Sequence, residues 1–490
     1  MRRVEPVGYP LQPFEARLAE LERRATGGSE RLAFASVVDG AKTHQYYFDR
    51  FWKLVSVDSQ RDLLERAEHF RDGNRAAAHN YLTHQLHSYK GKFFPQIVRA
   101  LVNYAGLGDG DSLVDPFVGS GTTTLEAHLM GVSAHGVDRN PLAALIAETK
   151  IEALRLDGGE VADAHRAVAS QVSRSRATSL PNHSYLARWF PEDTLRVVAR
   201  TLTGIEGADA PRAFKNVSRL VLSANLRAWS LQEPSQLRIF RRAFAPPAAA
   251  LAERFAGELA RVAKEISTSI RLVAELGLRL GEAHVECADA RKRGTWGGRV
   301  HDAVITSPPY ATALPYIDTD RLSLFALGLL EVGERNDLEW SMIGNREIRQ
   351  TQKLALEHAL KANEARLPER ICESILKLKV ANAREAVGFR RANLPALLYK
   401  YFSDMDVVLG RAAESLRPAG LCAIVVGDSH TVAGKTKTRI PTGSHLVACA
   451  ESRGFELEER IPMGGQAGYL PHQRNMIPRE EILLFRRLPR

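Results

Sequence analysis

The 490 residues are 44% apolar and 25% charged, the balance of an ordinary globular chain with a full core and room for more than one compact unit. Lys and Arg outnumber Asp and Glu by 67 to 57, a net charge of +10 that favours a polyanionic partner. Four scattered cysteines, Cys287, Cys372, Cys422 and Cys449, form no Cys-x-x-Cys pair, which argues against a zinc site or a disulfide framework. No metal is expected. Residues 1–6 carry no hydrophobic leader and no apolar run reaches membrane-spanning length, so the expected setting is reducing and cytoplasmic, with no membrane partner.

The predicted elements begin with helical periodicity. Residues 14–24 and 60–70 place apolar side chains at helical spacing among charges, and Tyr46, Tyr47, Phe48, Phe51 and Trp52 between them read as aromatic anchors. A different texture starts at His87-Ser88-Tyr89-Lys90-Gly91-Lys92-Phe93-Phe94-Pro95, whose proline is placed to open the apolar helix at 96–102. Residues 112–115 then read as a buried strand ending in Asp115. Pro116-Phe117-Val118-Gly119-Ser120-Gly121 reads as a glycine turn, and Thr122-Thr123-Thr124 caps the helix that follows. Gly119 and Gly121 permit a tight turn and close approach of the backbone to a ligand. A second strand ends in Asp138 about 20 residues on, where a carboxylate can accept from both hydroxyls of a ribose.

Residues 151–280 interrupt this alternation with helical stretches rich in Arg212, Lys215, Arg219, Arg227, Arg238, Arg241 and Arg242. Such an insertion could lie over a site and hold nucleic acid, or be a packed cover with solvated charges. Sheet periodicity resumes at Leu278-Arg279-Leu280 and continues through the run 283–291, which contains Asp289. The apolar run Ala303-Val304-Ile305 then stops at Thr306-Ser307-Pro308-Pro309-Tyr310, where two prolines without N–H groups force the chain out of a sheet. A helix at 316–328, a charged, helical and loop-rich stretch at 331–394, a helix at 401–416, a turn at 417–420, an apolar strand at 421–429, a helix at 444–452 and two last strands near 455–459 and 481–485 complete the reading.

The end of that proline-stopped strand offers a hydroxyl, a free carbonyl and an aromatic ring. An exocyclic amino group on a nucleobase is a poor nucleophile because its lone pair is delocalised into the ring. Accepting its two hydrogens at the Ser307 side chain and the Pro308 carbonyl would restore that lone pair, while Tyr310 would stack on an extruded base.

The Ser307-Pro308-Pro309-Tyr310 stretch resembles the catalytic motif of amino-group DNA methyltransferases, and its first residue is most similar to the cytosine-N4 branch; adenine-N6 enzymes more often carry Asp or Asn there. Asp115-Pro116-Phe117-x-Gly119-Ser120-Gly121-Thr122 resembles the S-adenosylmethionine motif of the same enzymes. Lys92-Phe93-Phe94-Pro95 resembles the segment that packs on the cofactor's methionine end, and Asp289 falls where relatives accept from its adenine amino group. The resemblance implies an α/β, doubly wound Rossmann-like methyltransferase sheet. The expected organisation is a helical extension at 1–84, a cofactor half at 85–150, a helical insertion at 151–280 and a catalytic half at 281–490 with an insert near 331–394. It further implies S-adenosylmethionine as cofactor, duplex DNA with a flipped cytosine as substrate, and a partner in a restriction or defence system as an open question. Adenine-N6 transfer, RNA methylation and a catalytically idle nucleic-acid binder of the same fold are the alternatives.

Overall fold

The computed structural model describes residues 2–56, 80–89, 91–234, 239–311, 316–383, 387–433, 436–464 and 479–489. The helix expected at 60–70, Lys90 and Arg238 lie outside these residues. Near the N-terminus, the helix Pro13–Thr26 is joined by three short strands, β1 (Val4–Pro6), β2 (Ala35–Val38) and β3 (Ala41–Lys42), which pair antiparallel in the order β1-β2-β3. The extension is thus not wholly helical, and strands this short leave too few residues for a period of two to be seen.

The larger sheet is built from β4 (Ser112–Asp115), β5 (Ser133–Asp138), β6 (Ala283–Cys287), β7 (His301–Thr306), β8 (Leu416–Gly427), β11 (Phe455–Gly464) and β12 (Arg479–Arg487). Its strand order is β11-β12-β8-β7-β4-β5-β6. The neighbours from β8 to β6 pair in parallel, and β12 runs antiparallel to both β8 and β11. All four residues of β4 are buried, as a strand covered by helices on both faces requires. This is a Rossmann-like methyltransferase sheet.

Two helices, Thr122–Leu129 and Pro141–Ala153, alternate with β4 and β5. Four more, Gly158–Arg174, Glu192–Gly207, Arg212–Trp229 and Ala248–Glu275, then pack on one another around Leu195, Phe214, Leu220, Leu251 and Phe255 before the chain returns to the sheet at β6. Between β7 and β8 lie helices Tyr316–Ala326, Arg335–Ser341, Gln350–Ala362, Glu369–Ala383 and Phe389–Ser415.

The turn expected at 417–420 is absorbed into β8. Its pairing passes from His301↔Leu416 to Ala303↔Leu421, so four residues bulge opposite Asp302, and Arg417 Nε donates to Asp302 Oδ1 at 2.7 Å. A hairpin of β9 (Ser429–Ala433) and β10 (Thr436–Ile440), not foreseen, follows β8.

Phe48 and Phe51, with Tyr46 and Tyr47 at the margin, pack the extension onto the sheet's first helix, whereas Trp52 is exposed. Phe48 stacks on Tyr81 at 4.5 Å, and the Tyr81 hydroxyl donates to Glu126 at 2.8 Å. His84 Nε2 lies 2.6 Å from the same carboxylate and Arg99 Nη1 lies 3.2 Å from it, all with side chains essentially without solvent contact. Burial lowers the His84 pKa to about 4, so the imidazole is neutral at pH 7 and its contact is a hydrogen bond. Burial pushes the Glu126 carboxyl up, but His84 and Arg99 outweigh it and keep the group below its ordinary value. Among the described residues, no helix is long and apolar enough to cross a membrane.

Candidate active site

From β4 the chain winds outward through β5 and β6, and from β7 it winds the other way into β8. The β4/β7 boundary is therefore the topological switch point, the place where an open α/β sheet leaves a crevice beyond the carboxyl ends of its strands. Both motif loops leave the sheet there. Thr306 Oγ1, at the end of β7, donates to Asp115 Oδ1, at the end of β4, at 2.6 Å, and the Phe117 N–H reaches the same oxygen at 3.0 Å. Burial pushes the Asp115 carboxyl up to about 6, with the charge of Asp138 acting in the same sense.

The crevice is a cleft of about 640 Å³ counted out to open solvent. Pro116, Phe117 and Gly119 line it from the glycine turn, Asp138 from the end of β5, Asp289 from beyond β6, and Ser307 and Pro309 from the proline-stopped loop. Seven residues from four separate segments between Pro116 and Pro309 thus share one pocket. Gly119 and Gly121 adopt φ of +50° and +80°, the left-handed region that only glycine enters cheaply. The Gly119 N–H donates to Asp138 Oδ2 at 2.9 Å and the Asn140 N–H to Oδ1 at 2.8 Å, so the carboxylate also shapes the turn. Burial raises the Asp138 pKa to about 6. Asp289 differs: burial pushes it up, but the Arg291 guanidinium on both its oxygens holds it below the usual carboxylate range.

Other expected residues sit elsewhere. Lys92 Nζ turns to Asn80 Oδ1 at 3.2 Å and the His84 carbonyl at 3.1 Å, and burial lowers its pKa to about 8. Phe93 and Phe94 pack on the core beneath the sheet, and Pro95 opens the helix Pro95–Tyr104. In their place Tyr89 and Gly91, just upstream, line the cleft. Gly121 and Thr122 are buried behind the turn; a Cβ on Gly121 would lie 2.7 Å from Ala147 Cα. Pro308 is buried, and the Tyr310 hydroxyl donates to Glu480 Oε1 on β12 at 2.7 Å. Neither lines the cleft.

Sequence reasoning missed Arg139, Ser341, Met342 and Ile343, which also line the cleft. It also missed Lys150, whose buried Nζ donates to the Ser120 carbonyl at 2.7 Å and braces the glycine turn. The Lys150 position inside an apolar helix was the available signal; nothing in residues 341–343 marked them. Of the basic side chains in the insertion, Arg219 donates to the Leu327 carbonyl and Arg242 to the carbonyls of Ala228 and Ser230, so these two are committed to the fold. Arg241, beside the exposed Phe240 and near Phe244, is open to solvent.

Residues 85–172 match the family described as UPF0020, RMKL-like, methyltransferase domain. Over 69 residues the chain is 44% identical to the Type II methyltransferase M.MjaII of Methanocaldococcus jannaschii, covering 14% of this chain and 13% of that protein. It is 24% identical over 277 residues to M.BsoBI of Geobacillus stearothermophilus, covering 51% and 54%, and 22% identical over 407 residues to M.AvaI of Nostoc sp., covering 76% and 78%. The chain thus spans less than two thirds of the first two relatives. The matched segment holds the glycine turn and Asp138.

Proposed function

We propose that this protein is a DNA methyltransferase that uses S-adenosylmethionine to methylate the exocyclic N4 of a flipped cytosine. The observation that carries the reading is that Ser307 and Pro309 line the same cleft as Asp138 and Asp289. The similarity to proteins named Type II methyltransferases supports DNA as the substrate and a role in restriction–modification.

The residues present fit the cofactor. A Cβ on Gly119 would come within 3.3 Å of Tyr89 Cε1, so the turn leaves a cradle that any side chain would fill. Asp138 offers acceptors to ribose hydroxyls and Asp289 to an adenine amino group, while Pro116 and Phe117 supply apolar walls. When bound, S-adenosylmethionine supplies a sulfonium methyl: the amino nitrogen gains the new N–C bond, sulfur keeps the electron pair of the broken S–C bond, and the nitrogen then releases a proton to water.

Ser307 Oγ and the Pro308 carbonyl accept the two amino hydrogens and draw the lone pair out of the ring. Pro308 and Pro309 fix φ on both sides of that carbonyl's peptide and so hold the acceptor still. Tyr310, anchored through its hydroxyl on Glu480, is the stacking face for the extruded base. The exposed Phe240, Arg241 and Phe244 supply stacking and charge for the flanking nucleic acid.

The test is methyl transfer from labelled S-adenosylmethionine to unmodified duplex DNA, single-stranded DNA or RNA, read by nucleoside mass spectrometry. N4-methylcytosine in DNA is the expected product. N6-methyladenine would retain the mechanism and replace the base, and methylation of RNA alone would overturn the DNA assignment.

A further inference from the structure

We propose that Arg291 is a positioning residue that sets the cofactor's adenine selectivity and pins the cleft wall at Ser341; the inference rests on the S-adenosylmethionine reading above. Arg291 Nε and Nη2 donate to the two oxygens of Asp289 at 2.9 and 2.7 Å, and its backbone N–H reaches Oδ1 at 3.0 Å. A forked pair of this kind fixes the carboxylate plane, which a lysine's point charge cannot do. The same guanidinium reaches outward: Nη1 donates to Asp404 Oδ1 at 2.7 Å and Nη2 to the Ser341 carbonyl at 2.6 Å.

The wall is held by two more cations. Lys400 Nζ donates to Asp404 Oδ2 at 2.7 Å and to the Met342 carbonyl at 3.3 Å, and Arg139 Nε donates to Ser341 Oγ at 3.0 Å. Ser341 and Met342 therefore line the cleft together with Asp289, and the same ion set holds all three. The side chains of Asp289, Arg291, Lys400 and Asp404 are mostly buried, so water screens them little. Removing the guanidinium would leave Asp289 without its counter-charge, while Asp404 keeps Lys400, and Asp289 would shift or protonate.

A fixed carboxylate discriminates chemically. It accepts from the 6-amino group of adenine and repels the 6-oxo group of hypoxanthine. Binding of S-adenosylhomocysteine and of S-inosylhomocysteine to the full chain, by titration calorimetry, reads this without turnover. The wild type should prefer the adenosyl compound by about 10–100-fold. Arg291→Met should bring the two affinities within about threefold of each other, and Arg291→Lys should fall between. If Arg291→Met does not fold, the lysine variant alone carries the comparison, and Asp404→Asn, which leaves the fork on Asp289 intact, should keep the wild-type ratio.

A variant at Arg291 that weakens both ligands equally, leaving the ratio at its wild-type value, overturns the positioning role while sparing the cofactor reading. A wild type that binds both ligands without preference also overturns it. A wild type that binds neither overturns the cofactor reading and this inference with it.

Discussion

The two glycines of the turn after β4 make opposite demands, and replacing each with alanine separates them. At Gly121 the backbone has φ of +80°, and a Cβ would sit 2.7 Å from Ala147 Cα and 2.8 Å from Ala147 Cβ, a helix backbone that cannot swing aside. Left-handed strain contributes about 1–2 kcal/mol and overpacking about 1–3, so Gly121→Ala should destabilise the fold by about 2–5 kcal/mol. At Gly119 the φ of +50° carries similar strain, but the nearest atom to the Cβ would be the ring edge of Tyr89 at 3.3 Å, in the cleft, with the Phe117 carbonyl at an ordinary 3.8 Å. Gly119→Ala should therefore lose less stability and more cofactor affinity. Gly257, exposed within the helix Ala248–Glu275 with nothing within 4 Å of its built Cβ, is the control, and Gly257→Ala should stabilise by about 0.5–1 kcal/mol. Urea unfolding midpoints should rank Gly257→Ala above the parent and Gly121→Ala lowest, while calorimetric S-adenosylhomocysteine affinity should fall most in Gly119→Ala. A Gly121→Ala protein with the parental midpoint would refute the packing argument.

Ser307→Ala should slow methyl transfer by about 10²–10³-fold with S-adenosylhomocysteine affinity unchanged, and single-turnover rates equal to the parent's would sink the assigned role. Because burial raises the Asp138 pKa to about 6, the acceptor is ionised above that value and protonated below it. S-adenosylmethionine affinity should accordingly fall as pH drops through about 6 and flatten in Asp138→Asn; a parent profile without that inflection contradicts the reading. Glu126→Gln strips the buried Arg99 of its counter-charge and should cost about 3–5 kcal/mol in urea unfolding, a loss that a parental midpoint would disprove. Phe244, 84% exposed, should matter to nucleic acid alone: Phe244→Ala should weaken DNA binding by about 1–3 kcal/mol in fluorescence anisotropy without altering S-adenosylhomocysteine affinity.

What the sequence disclosed was what local chemistry encodes. The glycine turn needs Gly119 and Gly121 wherever it occurs, Asp138 ends a short strand about 20 residues on, and two prolines stop β7 in any tertiary setting; each is legible within a short stretch of chain. The Lys92–Pro95 motif was equally legible as a motif, yet two residues upstream decide the cleft, because which side of an irregular segment faces a pocket depends on what packs behind it. Ser341 and Met342 contribute as backbone held by Arg291 and Lys400, 50 and 58 residues away. No periodicity registers a contact of that kind. The bulge at 417–420 was hidden for a related reason: Arg417-Pro418-Ala419-Gly420 has turn composition, and only the pairing of β8 with β7 turns it into a bulge.

The placement of β12 between β8 and β11 matters to a chain made from one end. By the time residue 464 has been synthesised, every residue lining the cleft exists, but β8 still presents the apolar edge of residues 421–427 and β11 has no strand beside it. Tyr310 meanwhile lacks the Glu480 that fixes its hydroxyl. A ribosome that stops between β11 and β12 would release a sticky sheet with a loose tyrosine, a target for chaperones and proteases despite its complete set of motifs.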